Sequence, residues 1–338
     1  MKKLLIPMFA IATLYSCSNS DDDTSVPTNP DEKYLNGFFI TNEGNYTKAN
    51  ASVSHLNADY SNLTNDIFKT ANGKDLGDVA QSMVVTDKYA FVIVNNSNTI
   101  EVVNKKTFKT VHTITEGLNS PRYAAISNNK LYVTSLFDAS VAVYNAETFA
   151  FIKSIPLNFT SEKIVAANNY VYAANGFYSK GKLVEVIDPK TDTNTIDITF
   201  ENAINGITTI GEFAYVLETN DAASKVSRVS GTSASGSVAV PQASTTNFTA
   251  DGNNLYYTVG TGVYKMNNSL ASSGSKLFDV AKGEDFSVLY GFNVINGVVF
   301  TSDAKGFTDK SSIILYKEDG TKIKELTGGI ATNGFYKF

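Results

Sequence analysis

The chain has no tryptophan, one cysteine, two histidines and seven prolines in 338 residues. A lone cysteine, Cys17, cannot form an intramolecular disulfide, so stability must rest on packing and sheet hydrogen bonds. His55 and His112 stand far apart, and no cysteine pair or His-x-x-x-His spacing offers a metal site. Gly-rich phosphate loops and a nucleophile-elbow serine are also missing, so no catalytic set, no metal and no cofactor is expected. Acidic and amide clusters such as Asp21 to Asp23 and Asn95 to Asn98 lack the ordered ligand spacing of a calcium loop. Without tryptophan, a carbohydrate platform would have to use Tyr or Phe. Basic clusters are absent and the formal charge is −5, which removes the electrostatic basis for binding nucleic acid.

Long apolar runs are scarce too, the N-terminal one from Leu4 to Leu14 excepted. It follows Lys2 and Lys3 and ends in small residues, the layout of a secretion signal, and is too short to span a bilayer comfortably. Leu14-Tyr15-Ser16-Cys17 resembles a bacterial lipobox, which implies a signal peptide over 1–16 and a lipid on Cys17. Loss of Lys2 and Lys3 takes the formal charge from −5 to −7. Ser18 to Asp23 is similar to the acidic signal that exports Bacteroidetes lipoproteins to the cell surface. Residues 17–33, rich in Asp, Ser, Thr, Asn and Pro, read as a flexible tether. The expected location is the outer membrane, lipid-anchored and facing the exterior.

Within residues 34–338 the dominant feature is an internal repeat. Residues 122–155 align without a gap on 81–114, matching Val92 with Val133, Val102 with Val143 and Asn104 with Asn145. A period near 40 residues, made of short alternating apolar runs and polar turns, marks a β-propeller blade of four strands. Anchors of the second strand fall at Phe39, Phe91, Tyr132, Tyr172, Tyr215, Tyr256 and Val299, which makes seven blades. Their spacings after the first are 41, 40, 43, 41 and 43; the first, 52, leaves room for an insertion in blade 1.

First strands precede their anchors by about ten residues in six blades. For the Phe39 blade that strand is found at the far end, as Asn333 to Lys337. The chain is therefore expected to be an all-β, seven-bladed propeller, its ring closed by the C-terminal strand pairing with the N-terminal blade, which removes two exposed edges. Asp87-Lys88, Asn128-Asn129, Asn168-Asn169, Asp251 to Asn253 and Asn296-Gly297 supply tight hairpin turns. The Ser/Gly-rich stretch 230–237 reads as a turn at a blade edge.

In an up-and-down blade the loops between strands two and three share a face with the starts of the first strands, at the rim of the central channel. Ligands of this architecture usually sit there. Candidate ligand-binding residues are Glu43, Tyr46, Phe137, Asp138, Phe177, Tyr178 and Phe307 from the loops, and Gln81, Arg122, Asn205, Tyr290 and Asn333 from the strand starts. Amides, hydroxyls and aromatic faces in a ring suit a neutral polar ligand larger than a simple ion.

The lipobox with its acidic tail, the opening blade FFITNEGN at 38–45, Pro121-Arg122-Tyr123 and Val-Tyr-Asn-Ala-Glu-Thr at 143–148 resemble Bacteroidetes propeller lipoproteins of the DUF5074 type, relatives of YVTN-repeat propellers. The resemblance implies a surface protein that captures a corrinoid such as cobalamin, or another scarce nutrient, and passes it to a TonB-dependent outer-membrane transporter. Two other classes stay open: a protein-interaction or adhesion propeller, and a quinoprotein-like or lactonase-like propeller enzyme.

Overall fold

A computed structural model describes residues 31–175, 181–281 and 287–338. These form seven four-stranded antiparallel sheets arranged as the blades of a propeller. Blade 1 takes its innermost strand, Thr332–Lys337, from the end of the chain and sets it beside Phe38–Asn42, with Phe39 opposite Tyr336 and Ile40 opposite Phe335. Blades 2 to 7 follow in order over 80–114, 121–156, 161–199, 203–240, 246–279 and 288–330.

Paired asparagines or Asn-Gly close three of the inner hairpins. Asn128-Asn129, Asn168-Asn169 and Asn296-Gly297 all hold positive φ at both positions, between 48° and 72°. This is the backbone of a type I′ turn, whose twist matches the flanking strands and which Asn and Gly tolerate best. The stretch 230–237 divides differently from its sequence reading: only Gly231-Thr232 turns, and Ser233–Val240 is the outermost strand of blade 5. Small residues there suit an exposed edge that faces no neighbouring sheet. The long first interval holds the helix Ile67–Asn72, which buries Ile67 and Phe68 between blades 1 and 2.

Because every blade packs against two others, its middle strands are buried on both faces. YAFVIV is accordingly a continuous apolar run rather than a strict alternation, and KLYVTS is buried from Leu131 through Ser135. The core is a ring of layers between blades. Phe91, Ile93 and Ile100 of blade 2 meet Leu131, Val133 and Tyr144 of blade 3, and Tyr132, Val141 and Val143 meet Val171, Ala173 and Ile187 of blade 4. Each such side chain contributes roughly 1.5–3 kcal/mol on burial.

Four of the anchor residues are tyrosines for a further reason. Tyr132 Oη donates to Asp192 Oδ1 at 2.6 Å, Tyr172 Oη to the Gly231 carbonyl at 3.0 Å, Tyr215 Oη to the Asn268 carbonyl at 3.2 Å and Tyr256 Oη to Glu318 Oε1 at 2.5 Å. Each acceptor lies in the turn between strands three and four of the next blade. The anchor thus fills a layer of core with its ring and latches the following blade with its hydroxyl.

Candidate functional site: the channel mouth

All seven innermost strands are interrupted at the same place. The pairing register skips Gln81, Arg122-Tyr123, Glu162-Lys163, Asn205, Asn247, Leu289-Tyr290 and Asn333. A bulge frees a residue from the ladder and re-aims its side chain. Here seven bulges in register re-aim theirs into the channel, where every skipped residue lines one cavity of about 910 Å³. That volume lies within the range of roughly 300–1,000 Å³ typical of small-molecule sites.

Inter-blade hydrogen bonds hold the ring in shape. Asn95 Nδ2 reaches the Pro121 carbonyl at 3.0 Å, Ser82 Oγ the Arg122 carbonyl at 2.7 Å, and Asn247 Nδ2 the Leu289 carbonyl at 2.9 Å. Asn205 Nδ2 donates to the Thr245 carbonyl, and Asn333 Nδ2 to the Gln81 carbonyl at 2.8 Å. Several mouth amides are therefore structural clamps as well as cavity lining.

The charged groups form two webs. Arg122 Nε donates to Glu162 Oε2 at 2.9 Å, while its terminal nitrogens engage Glu162 Oε1 and Gln81 Oε1. Across the ring, Glu43 accepts from Tyr290 Oη at 2.7 Å and Asn333 Nδ2 at 2.8 Å. Burial pushes the Glu43 carboxyl above the usual carboxylate range, against the pull of those two donors. Tyr123 is raised by burial and by the Glu162 charge, and Tyr336 by burial, so both keep their phenolic protons. Lys163 is lowered by burial, and its Nζ lies 5.8 Å from the Tyr123 ring centre. Aromatic walls come from Tyr123, Phe292, Tyr336, Phe248 and the edge-to-face pair Tyr290 and Phe307, 4.8 Å apart.

Eight of the residues singled out in the sequence line this cavity: Glu43, Tyr46, Gln81, Arg122, Asn205, Tyr290, Phe307 and Asn333. Phe137 and Asp138 do not line it. Ser135 Oγ accepts from both their backbone N–H groups, at 3.2 and 2.9 Å, and Asn119 Nδ2 holds Asp138 at 2.8 Å, which folds the loop outward and leaves Phe137 67% exposed. Phe177, Tyr178 and Cys17 lie outside the described residues. Sequence reading missed Tyr123, Lys163, Asn247 and Tyr336. The signal for Tyr123 was present, since it directly follows Arg122, but strict alternation would have turned it away from the channel.

Elsewhere, His55 is buried with Nε2 3.0 Å from the Asn36 carbonyl, and burial holds its imidazolium below the usual range. His112 is exposed and stacks on Phe149, with ring centres 5.5 Å apart. Among the described residues no three His, Cys, Asp or Glu side chains group as a metal site would need. The site can stack planar groups, donate and accept hydrogen bonds, and compensate charge.

No curated protein sequence matches the chain. Among solved structures, a quinoprotein alcohol dehydrogenase-like protein from Bacteroides thetaiotaomicron is 12% identical, with a TM-score of 0.69 over 91% of this chain and 78% of its own. A provisionally named 6-phosphogluconolactonase from Bacteroides fragilis is 11% identical, with a TM-score of 0.66 over 93% of this chain and 100% of its own. The Pan2 WD40 domain of Neurospora crassa, 12% identical, has a TM-score of 0.59 over 90% and 92% of the two chains. At such identities the likeness is one of fold. Residues 36–336, the propeller from blade 1 to its closing strand, match the family described as Domain of unknown function (DUF5074), and the chain belongs to that family.

Proposed function

We propose that this chain is a cell-surface ligand-capture propeller, which holds a small molecule over the channel mouth and passes it to an outer-membrane transporter. The observation that carries this reading is the ring of seven bulges, whose released side chains all converge on one cavity. Bulges cost ladder hydrogen bonds, and seven at one level are hard to account for by folding alone. The ligand we favour is a corrinoid such as cobalamin, a large molecule with many amide groups. The cavity's amides, hydroxyls and aromatic walls match that chemistry, and the resemblance noted in the sequence points the same way. Lipidation of Cys17 and a TonB-dependent transporter as the receiving partner complete the proposal.

Calorimetry with cyanocobalamin tests it. The expected result is saturable heat that weakens at least tenfold in Tyr290→Ala, which removes an aromatic wall and the donor to Glu43. Absence of heat across a corrinoid panel overturns the ligand. A second reading, a protein-contact face, is favoured by three aromatics exposed on the same loop-bearing side: Tyr46 at 70%, Phe137 at 67% and Phe159 at 51%. Recovery of a transporter from outer-membrane extract only when these three are intact would join the two readings into one.

A further inference from the structure

Two carboxylates and two cations line the cavity, Glu43, Glu162, Arg122 and Lys163, and they do not all pair directly. Arg122 and Glu162 form an ion pair, and the Glu43 carboxyl is met by Tyr290 and Asn333. Lys163, released into the cavity by the bulge between Ser161 and Ile164, has no hydrogen-bond or ion-pair partner among the described residues. Glu162 is its neighbour in sequence, but both oxygens of that carboxylate are already taken by Arg122. The π face of Tyr123 lies 5.8 Å from the ammonium, and the nearby Glu162 charge supports its protonated form against burial without a direct contact. Unpaired charge away from bulk water is unfavourable, and a protein that keeps it open to a cavity leaves room for a counter-charge.

We infer that the ligand of the channel mouth presents an anionic group, a carboxylate or a phosphate, to Lys163, with the adjoining part of the ligand against Tyr123. This rests on the ligand-capture reading and adds a polarity to it. The group enters with its charge toward blade 4, where Lys163 compensates it, and with its neutral or aromatic portion toward the rings of blades 3 and 7. The depressed affinity of the Lys163 amine for its proton agrees with a poorly solvated cation, and the Tyr123 hydroxyl, held in its protonated form by burial, remains a donor beside it.

The test compares benzoate with benzamide, and inorganic phosphate with no addition, by calorimetry on the full chain in detergent. Each is run on wild type, Lys163→Met and Lys163→Arg, and cyanocobalamin is titrated in parallel. Benzoate is expected to bind at least tenfold more tightly than its neutral amide. Lys163→Met is expected to abolish that preference and Lys163→Arg to keep it, with all three proteins melting together. Equal binding of benzoate and benzamide, undiminished benzoate or phosphate binding by Lys163→Met, or no binding of either anion overturns the inference. Cyanocobalamin binding that is indifferent to Lys163→Met counts against the anionic contact and leaves the capture reading intact. Lys163-dependent benzoate binding with no response to any corrinoid does the reverse. If Lys163→Met fails to fold, Lys163→Gln takes its place with the same criteria.

Discussion

Glu185 in blade 4 occupies the position that Glu101 holds in blade 2, one residue before the anchor's cross-strand partner. Glu101 receives Lys74 Nζ at 3.0 Å and the hydroxyls of Thr110 and Thr113. Glu185, 0% exposed, instead faces Asp197 across the ladder. Its Oε1 accepts from the Asn158 amide at 2.6 Å, while Oε2 and the buried Oδ1 of Asn194 have no partners among the described residues. Burial pushes the carboxyl from an ordinary 4.5 up to about 7, with Asp197 adding to the rise and the Asn158 amide opposing it. A folded pKa above the unfolded one means that the native state binds the extra proton. The contribution to stability is therefore complete below pH 4.5 and is lost as pH rises through about 7. Urea midpoints should fall between pH 5 and pH 8, and Glu185→Gln, which carries the neutral form permanently, should flatten that slope. A slope unchanged in the variant would assign it to other groups.

At the scale of the element, the tyrosine latches tie the strand pattern to assembly of the ring. Tyr132→Phe keeps the ring in the core and removes one hydrogen bond to a carboxylate that Lys130 Nζ still engages at 2.6 Å. Bonds to charged groups contribute about 1.5–3 kcal/mol, and bonds to carbonyls about 0.5–1.5 kcal/mol. Tyr132→Phe should therefore destabilise more than Tyr215→Phe, whose acceptor is the Asn268 carbonyl. Chemical denaturation of the pair decides this, and equal losses would mean that the latch to Asp192 is no stronger than a neutral one. Position 91 is a phenylalanine in the same register, so blade 2 lacks a hydroxyl at that point and relies on side chains such as Lys88, which reaches Glu147 of blade 3 at 3.2 Å.

Closure belongs to the whole molecule. The last strand joins the two ends of the chain through the ladder to Phe38–Asn42, through Asn42 Oδ1, which accepts from Thr332 Oγ1 at 2.6 Å and Gly329 N at 3.0 Å, and through Phe338 stacked on Phe39 at 4.1 Å. Removing residues 332–338 would uncover the inner edge of blade 1, strip Asn333 from the mouth and expose Phe39 and Phe335's neighbours to water. An open hydrophobic edge invites association. The truncated chain should elute as aggregate and lose its near-UV circular dichroism, whereas a monomeric, cooperatively melting product would show that the ring holds without its clasp.

Blade count, closure and the hairpin turns were legible in the residues themselves, because they follow from local periodicity, from turn chemistry and from the need to leave no strand edge open. The same logic placed Gln81, Arg122, Asn205, Tyr290 and Asn333 at the channel, since the start of a first strand lies there in any blade of this kind. Only the tertiary structure decided which side each neighbour faces. One extra residue reverses the alternation of a strand, and that is how Tyr123 and Lys163 entered the cavity. Loop conformation likewise turned Phe137 and Asp138 away. The compensation of charge was beyond the sequence for a related reason: Arg122 finds Glu162, Glu43 finds Tyr290 and Lys163 finds no direct partner among the described residues, a property of the closed ring that no strand carries alone.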